Sequence, residues 1–346
     1  MTEPLLAVRD LAKHFPLFQP WLAGLARRRV GTVVAVEGVS FDVAKGETLG
    51  LVGESGCGKT TTARLVLRAL KPTRGEIRFR VGGGQAVRVD LLKGRALRAL
   101  RPHIQMIFQE PMTAFSPVHT IGDQIGEVVR LHRQFSRAQA RAATVEALEA
   151  VGFPEPTRKV DAYPFELSGG LRQRAMIAMA LVCRPALVIA DEPTSALDVT
   201  VQAQILDLLV RLQREYGMGL IIITHDPGVV AHVADFVTVM YCGHVMETGL
   251  VSELFEDPQH PYLQALLRST PQFGVTEGAR LQTIPGTVPD PLAPIPGCPF
   301  LSRCPEGEPA LCGEAMPARR ALGAHRHVAC YKRGSMPEVA AAPAGA

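Results

Sequence analysis

The sequence predicts an α/β fold built around a phosphate-binding loop, on three observations. An apolar strand at residues 48–52 runs into a glycine-rich loop and then into a helix-compatible stretch. A second apolar strand, Leu187–Ala190, finishes in two carboxylates, Asp191 and Glu192. Strand-like and helical stretches also alternate along the chain, the pattern of a sheet layered with helices.

Composition sets the frame. The chain has 346 residues, of which 47 % are hydrophobic and 20 % charged. At roughly 150 residues per domain this suggests about two domains with a sizeable core. With 37 basic and 33 acidic side chains, the net charge of +4 is too even for a dedicated nucleic-acid binder. The apolar content excludes a disordered chain, and glycine and proline show no repeat period. The opening residues MTEPLLAVRD carry charges at Glu3, Arg9 and Asp10 and do not read as a secretory signal. No run approaches the ~18 apolar residues of a membrane span. The expectation is a cytoplasmic protein, soluble or peripheral, whose cysteines are not disulfides.

Taken in order, Val33–Val43 and Glu47–Val52 read as strands parted by the Lys45-Gly46 turn, and Gly75–Val81 as a third. The stretch from Phe15 to Gly31 is expected to be an irregular, proline-containing insert. Residues 110–180 turn Ala-, Arg- and Glu-rich, and Arg137–Val151 has helical periodicity. Strands return at Leu187–Ala190 and Leu220–Thr224, with a helical stripe of Val201, Ile205, Leu208, Leu209 and Leu212 between them. Phe236–Tyr241 and His244–Glu247 form a hairpin about Cys242-Gly243. Beyond about residue 270 the chain becomes Pro-rich and loop-like, and residues 333–346 are expected to be a disordered tail.

Gly53-Glu54-Ser55-Gly56-Cys57-Gly58-Lys59-Thr60 fits G-x-x-x-x-G-K-[ST] between a strand and a helix running from Thr61 to Leu70 before Pro72. Glycines let backbone amides wrap phosphate oxygens, Lys59 reaches the β- and γ-phosphates, and the Thr60 hydroxyl suits Mg²⁺. Cys57 is read as a small residue that fits the loop. Asp191, at the end of a buried strand, is placed to hold the Mg²⁺ shell, and Glu192 to accept a proton from attacking water.

Leu167-Ser168-Gly169-Gly170-Leu171-Arg172-Gln173-Arg174, just before the acidic strand, resembles the signature motif of ABC transporter ATPases. Gln109 in Phe108-Gln109-Glu110-Pro111 resembles the Q-loop, Ser195-Ala196-Leu197-Asp198 the D-loop, and His225 the switch histidine. The resemblance implies a P-loop NTPase of the ABC cassette type: a RecA-like core, an antiparallel β subdomain and an inserted helical subdomain at about 110–180. Residues 1–268 would form the ATPase domain. Leu171, Phe115-Ser116-Pro117 and Pro227 depart from the commoner family residues without touching those assigned to chemistry.

The segment Gly46–Gly56, the run SALDVTVQAQ from Ser195, His260-Pro261-Tyr262, Gly297-Cys298-Pro299-Phe300 and Arg303-Cys304-Pro305 are similar to the oligopeptide/dipeptide importer ATPases. That likeness makes 269–332 a Cys-rich C-terminal region.

The family implies roles by position. ATP would lie against Gly53, Glu54, Ser55, Gly56, Cys57, Gly58, Lys59, Thr60 and Thr61, with Phe15 stacking on adenine. Ser168, Gly169 and Gly170 would contact the γ-phosphate held by a second ATPase subunit, and Asp198 would support that interface. Ser168 also reads as a cap for the helix beginning near Gly170, whose N-terminus attracts anions. Thr60, Gln109 and Asp191 would hold Mg²⁺; Glu192, His225 and Gln109 would be catalytic. The implied partners are a second, non-identical ATPase subunit, two transmembrane permease subunits and an extracytoplasmic solute-binding protein, and no nucleic acid. The function implied is ATP-driven uptake of di- or oligopeptides. A nickel or other small-solute importer stays open, as does a soluble ATPase with a redox-sensing metal tail.

Cys298, Cys304, Cys312 and Cys330 lack the short C-x₂₋₄-C pairs of zinc sites. Residue chemistry leaves an iron–sulfur cluster, zinc with His325 or His327 substituting, or free thiols. The importer resemblance implies [4Fe–4S].

Overall fold

The computed structural model describes residues 3–21, 26–82, 84–110, 114–195, 197–269, 283–290, 292–293 and 295–334. The disordered-tail expectation therefore falls almost wholly outside the described residues. Arg333 lies inside them and donates two 2.7 Å hydrogen bonds to Glu306.

The first layer is an antiparallel sheet of β1 (Leu6–Trp21), β2 (Ala26–Val43), β4 (Arg74–Arg80) and β5 (Ala86–Arg88), in the order β2-β1-β4-β5. The expected irregular insert is instead a continuation of β1 and β2 as a long hairpin, with Pro16 opposite Thr32 and Pro20 opposite Arg27. Pairing of β1 with β4 ends at Ala12, so further out one edge of β1 is open. A proline without an N–H is tolerated at such an edge.

The second sheet has the order β11-β12-β10-β9-β3-β8-β7-β6. Its centre is parallel: β3 (Thr48–Val52), β6 (Ile104–Ile107), β7 (Leu187–Asp191), β8 (Gly219–Thr224) and β9 (Phe236–Tyr241). Strands β10 (His244–Leu250), β11 (Arg320–Ala321) and β12 (His327–Val328) extend one edge antiparallel. Every residue of β3, β7 and β8 is buried, as expected where both faces of a parallel sheet are covered.

Alternation divides these strands between two cores. Val188, Ala190, Leu220 and Ile222 face a helical layer. Leu187, Ile189, Ile221 and Ile223, with Leu49 and Leu51, face the antiparallel sheet and α1 (Lys59–Val66). The helical layer comprises α2 (Ile121–Arg133), α3 (Arg137–Ala150), α4 (Gly169–Leu181), α5 (Val199–Tyr216) and α6 (Pro227–Val233). Ile205, Leu208, Leu209 and Leu212 of α5 are buried there, and Val201 packs partly buried against them. Met176 of α4 is buried in this core, and Met179 packs partly buried against it.

Helix α1 starts at Lys59 and stops at Val66, short of the expected Leu70. The chain turns left-handed at Arg68, and the amides of Ala69 and Leu70 both donate to the Arg64 carbonyl. The stop is thus a local C-terminal capping turn rather than an effect of Pro72. A third core joins β9 and β10 to α7 (Val251–Glu256), α8 (Pro261–Arg268) and Phe300 of the C-terminal region.

Candidate active site

The glycine-rich loop leaves β3 at the centre of the parallel sheet and enters α1. Gly58 caps α1 at φ 104°, and a β-carbon there would lie 2.3 Å from the Ala35 carbonyl oxygen. Only glycine fits both the dihedral and the space. The Lys59 ammonium is buried and donates to the carbonyls of Gly53 at 2.6 Å and Glu54 at 3.0 Å, which holds it inside the curl of the loop. Cys57 is buried, which raises its thiol pKa, as befits a packing residue rather than a reactive one.

Strand β7 brings Asp191 against this loop. The Thr60 hydroxyl donates to Asp191 Oδ1 at 3.1 Å. Burial raises the Asp191 pKa, the Thr60 bond counteracts this, and the neighbouring Glu192 charge adds to it. A hydroxyl and a desolvated carboxylate beside a phosphate cradle are the hard oxygen donors Mg²⁺ takes, and its charge would reverse that upward push.

Glu192 takes φ 44° just past the strand, uncommon for a residue with a side chain. Its amide donates to Ile223 of β8 at 2.8 Å. The Glu192 carboxylate is largely buried and lies 3.1 Å from Nδ1 of His225 through one oxygen. Gln109 Nε2 donates to the other at 3.1 Å. Three residues assigned from separate motifs, just past the ends of β6, β7 and β8, therefore meet at one carboxylate.

The signature turn occupies the N-terminus of α4. Ser168 caps it, accepting from the Leu171 amide at 3.4 Å. Gly170 packs so that a β-carbon would lie 3.2 Å from Val201 of α5. Asp198 caps α5, accepting from the Val201 amide at 3.0 Å. The signature and D-loop turns are thus neighbours at two helix N-termini. Buried Gln173 of α4 donates to the Pro193 carbonyl at 2.6 Å and fixes the chain just after Glu192. Phe15 is half-buried on β1, with the Lys13 ammonium 4.9 Å from its ring centroid.

Sequence reasoning missed a second set of contacts on the phosphate loop. The Glu54 amide donates to the Tyr262 hydroxyl at 2.8 Å. The Glu54 carboxylate is gripped by Arg303 through two bonds of 2.7 and 3.0 Å. His260 caps α8, its Nδ1 accepting from the Tyr262 amide at 3.0 Å. Complete burial drives the His260 pKa down to about 3. The His260-Pro261-Tyr262 and Arg303-Cys304-Pro305 motifs, noticed only as marks of a subgroup, are the signal: they carry the residues that reach the loop.

Cys298, Cys304, Cys312 and Cys330 line one small cavity of about 20 Å³, together with Phe300 and Tyr331. Burial, with the three other thiols, pushes Cys298 up to about 11. Among the described residues no three His, Cys, Asp or Glu side chains converge closely enough to hold a metal ion as they stand. Cys183 is buried, and Cys242 is half-buried in the β9–β10 turn.

Residues 36–195 match the family model described as ABC transporter, and residues 246–312 the model for the oligopeptide/dipeptide transporter C-terminal region. A relative from Brucella ovis is 49 % identical over 95 % of this chain and 97 % of its own length. The dipeptide transport ATP-binding protein DppD of Bacillus subtilis is 45 % identical over 95 % of each chain. Among solved structures, the ATP-binding cassette MJ0796 bound to ADP and Pi is similar with a TM-score of 0.61 and 25 % identity, over 71 % of this chain and 98 % of that one. With the phosphate loop, the acidic strand end and the signature turn in place, the chain belongs to the ABC transporter family, as an ATP-binding and ATP-hydrolysing protein of the branch that carries the oligopeptide/dipeptide transporter C-terminal region.

Proposed function

We propose that this chain powers the import of di- or oligopeptides across a cytoplasmic membrane. The observation that carries the peptide reading is the C-terminal region matched at residues 246–312, which is built onto the cassette and reaches its phosphate loop. DppD of Bacillus subtilis is named for dipeptide transport, and a Salmonella typhimurium relative that is 48 % identical, OppD, for oligopeptide transport. Among the described residues no helix is long and apolar enough to cross a membrane. In this reading, as for an importer ATPase of this family, the chain works from the cytoplasmic face against two permease subunits, with a second ATPase subunit and an extracytoplasmic binding protein.

In this reading Gly53 to Thr61 cradle the phosphates, and Phe15 stacks on the adenine. Glu192 accepts the proton of the attacking water, His225 orients it from the other side of the carboxylate, and Gln109 reports the state of that pair. Thr60, Asp191 and Gln109 would hold Mg²⁺, whose charge would offset that of the phosphates. Ser168, Gly169 and Gly170 meet the nucleotide held by a second ATPase subunit, and Asp198 supports that interface. The test is uptake of a labelled tripeptide by a deletion strain complemented with this chain. Restored uptake supports the reading, and unchanged peptide uptake in the deletion strain overturns the substrate assignment.

The cysteine cavity supports a second part of the proposal, a [4Fe–4S] cluster on Cys298, Cys304, Cys312 and Cys330. The donor set is soft thiolate, which suits iron–sulfur or zinc rather than Mg²⁺. The cluster would cross-link a loop-rich segment. Iron and acid-labile sulfide near four per chain, lost in C304S, would support it; anaerobically purified protein without iron would overturn it.

A further inference from the structure

Glu54 poses an electrostatic problem. It is the first residue after Gly53 in a loop that binds a polyanion, and its carboxylate opposes that charge unless something cancels it. Arg303 supplies the opposite charge from the C-terminal region, 249 residues away in sequence. The Arg303 side chain is 4 % exposed and that of Glu54 24 %. All of Arg303's polar directions are used. Nη1 bonds Glu54 and the Tyr241 hydroxyl at 3.1 Å, Nη2 bonds Glu54 and the Ile284 carbonyl at 3.3 Å, and Nε bonds the Pro285 carbonyl at 3.0 Å. A planar fork held on every side fixes both the charge and the position of its partner, as a lysine cannot.

The same turn forms part of the cysteine cavity. Leu301 donates to the Cys298 carbonyl at 3.0 Å, Arg303 to that of Phe300 at 3.0 Å, and Cys304 to that of Leu301 at 3.3 Å. Phe300, fully buried, stacks edge-on with Tyr241 and Tyr262 at centroid separations of 5.4 and 5.3 Å. Tyr262 in turn accepts the Glu54 amide. The loop residue is thus held by backbone and by side chain, both through one aromatic cluster.

We propose that Arg303 is a positioning residue for the phosphate loop, neutralising Glu54 so that the turn at 298–304 of the C-terminal region sets the affinity for ATP. The inference rests on ATP binding at this loop and not on the identity of the transported solute.

The experiment is titration of the purified full-length chain with MgATP and MgADP, comparing R303M, R303K and E54Q/R303M with the parent. K59A serves as the control for the loop itself. R303M should raise Kd for MgATP roughly tenfold, the scale of one uncompensated charge near a polyanion. The rise should be smaller for MgADP, which carries less charge. R303K, which keeps charge but loses the fork, should fall between. E54Q/R303M should recover most of the lost affinity, because the opposing carboxylate is gone; a merely structural defect would not be rescued this way. Parent-like affinity in R303M, equal losses for the two nucleotides, or no recovery in the double variant overturns the proposal. If R303M does not fold, R303K and the double variant decide: parent-like affinity in R303K overturns it, and a several-fold rise in R303K with recovery in the double variant supports it. Unchanged affinity in K59A would instead count against the loop as the ATP site, a separate failure.

Discussion

Glu192 is held between Gln109 and His225, each at 3.1 Å, at a backbone φ of 44°. A carboxylate so fixed suits a base that must act on one water, and E192Q keeps the shape while removing the basicity. Turnover of ATP should fall by roughly 10²–10⁴ in E192Q, with nucleotide binding retained; a steady-state phosphate-release assay beside a binding titration checks both halves. His260 sets a pH dependence of a different kind. Its folded pKa of about 3 lies below the usual value of 6.5, so the unfolded chain binds a proton that the folded chain refuses. The stability this provides is complete above pH 6.5 and declines as pH falls toward 3, by up to about 1.4 kcal/mol per unit. Melting curves between pH 7.5 and 5 should therefore drop less steeply in H260N, which can still cap α8. The residues of the phosphate cradle and of the Glu192 cluster were legible because their chemistry lies in short local motifs. Arg303 was not: nothing near it in sequence says that its partner is Glu54.

At the scale of elements, the parallel strands were legible because burial on both faces writes itself as unbroken runs such as Leu220–Ile223. The β1–β2 extension was not, because Pro16 and Pro20 break the local strand signal, and only the end of β4 pairing at Ala12 explains why they are tolerated. The loop-to-helix junction makes a sharp demand of its own. At Gly58 a β-carbon would collide with the Ala35 carbonyl at 2.3 Å, and φ is 104°. G58A should thus lose MgATP binding by far more than the few tenths of a kcal/mol of an exposed glycine change, because either the loop or β2 must move. Isothermal titration with circular dichroism separates a reshaped loop from an unfolded chain.

Across the whole molecule, the C-terminal region is sewn into the cassette rather than appended to it. β12 pairs with β10, and Arg326 donates to the fully buried carboxylate of Glu247 at 2.9 and 3.2 Å. The amides of Gln259 and His260 complete that carboxylate's partners, at 3.1 and 2.7 Å. R326M would leave a buried charge without its cation, and should lower unfolding free energy by about 3–5 kcal/mol, read from the urea midpoint at unchanged m-value.

This stitching has a consequence for how the protein is made. Strands β3, β7 and β8 are all synthesised before residue 250 is added. Glu54, however, waits for Arg303, and Glu247 waits for Arg326, 79 positions after it. A half-made subunit therefore carries an unneutralised phosphate loop and an unpaired carboxylate at its sheet edge. On the proposal made for Arg303, full affinity for nucleotide arrives only once that residue has been added.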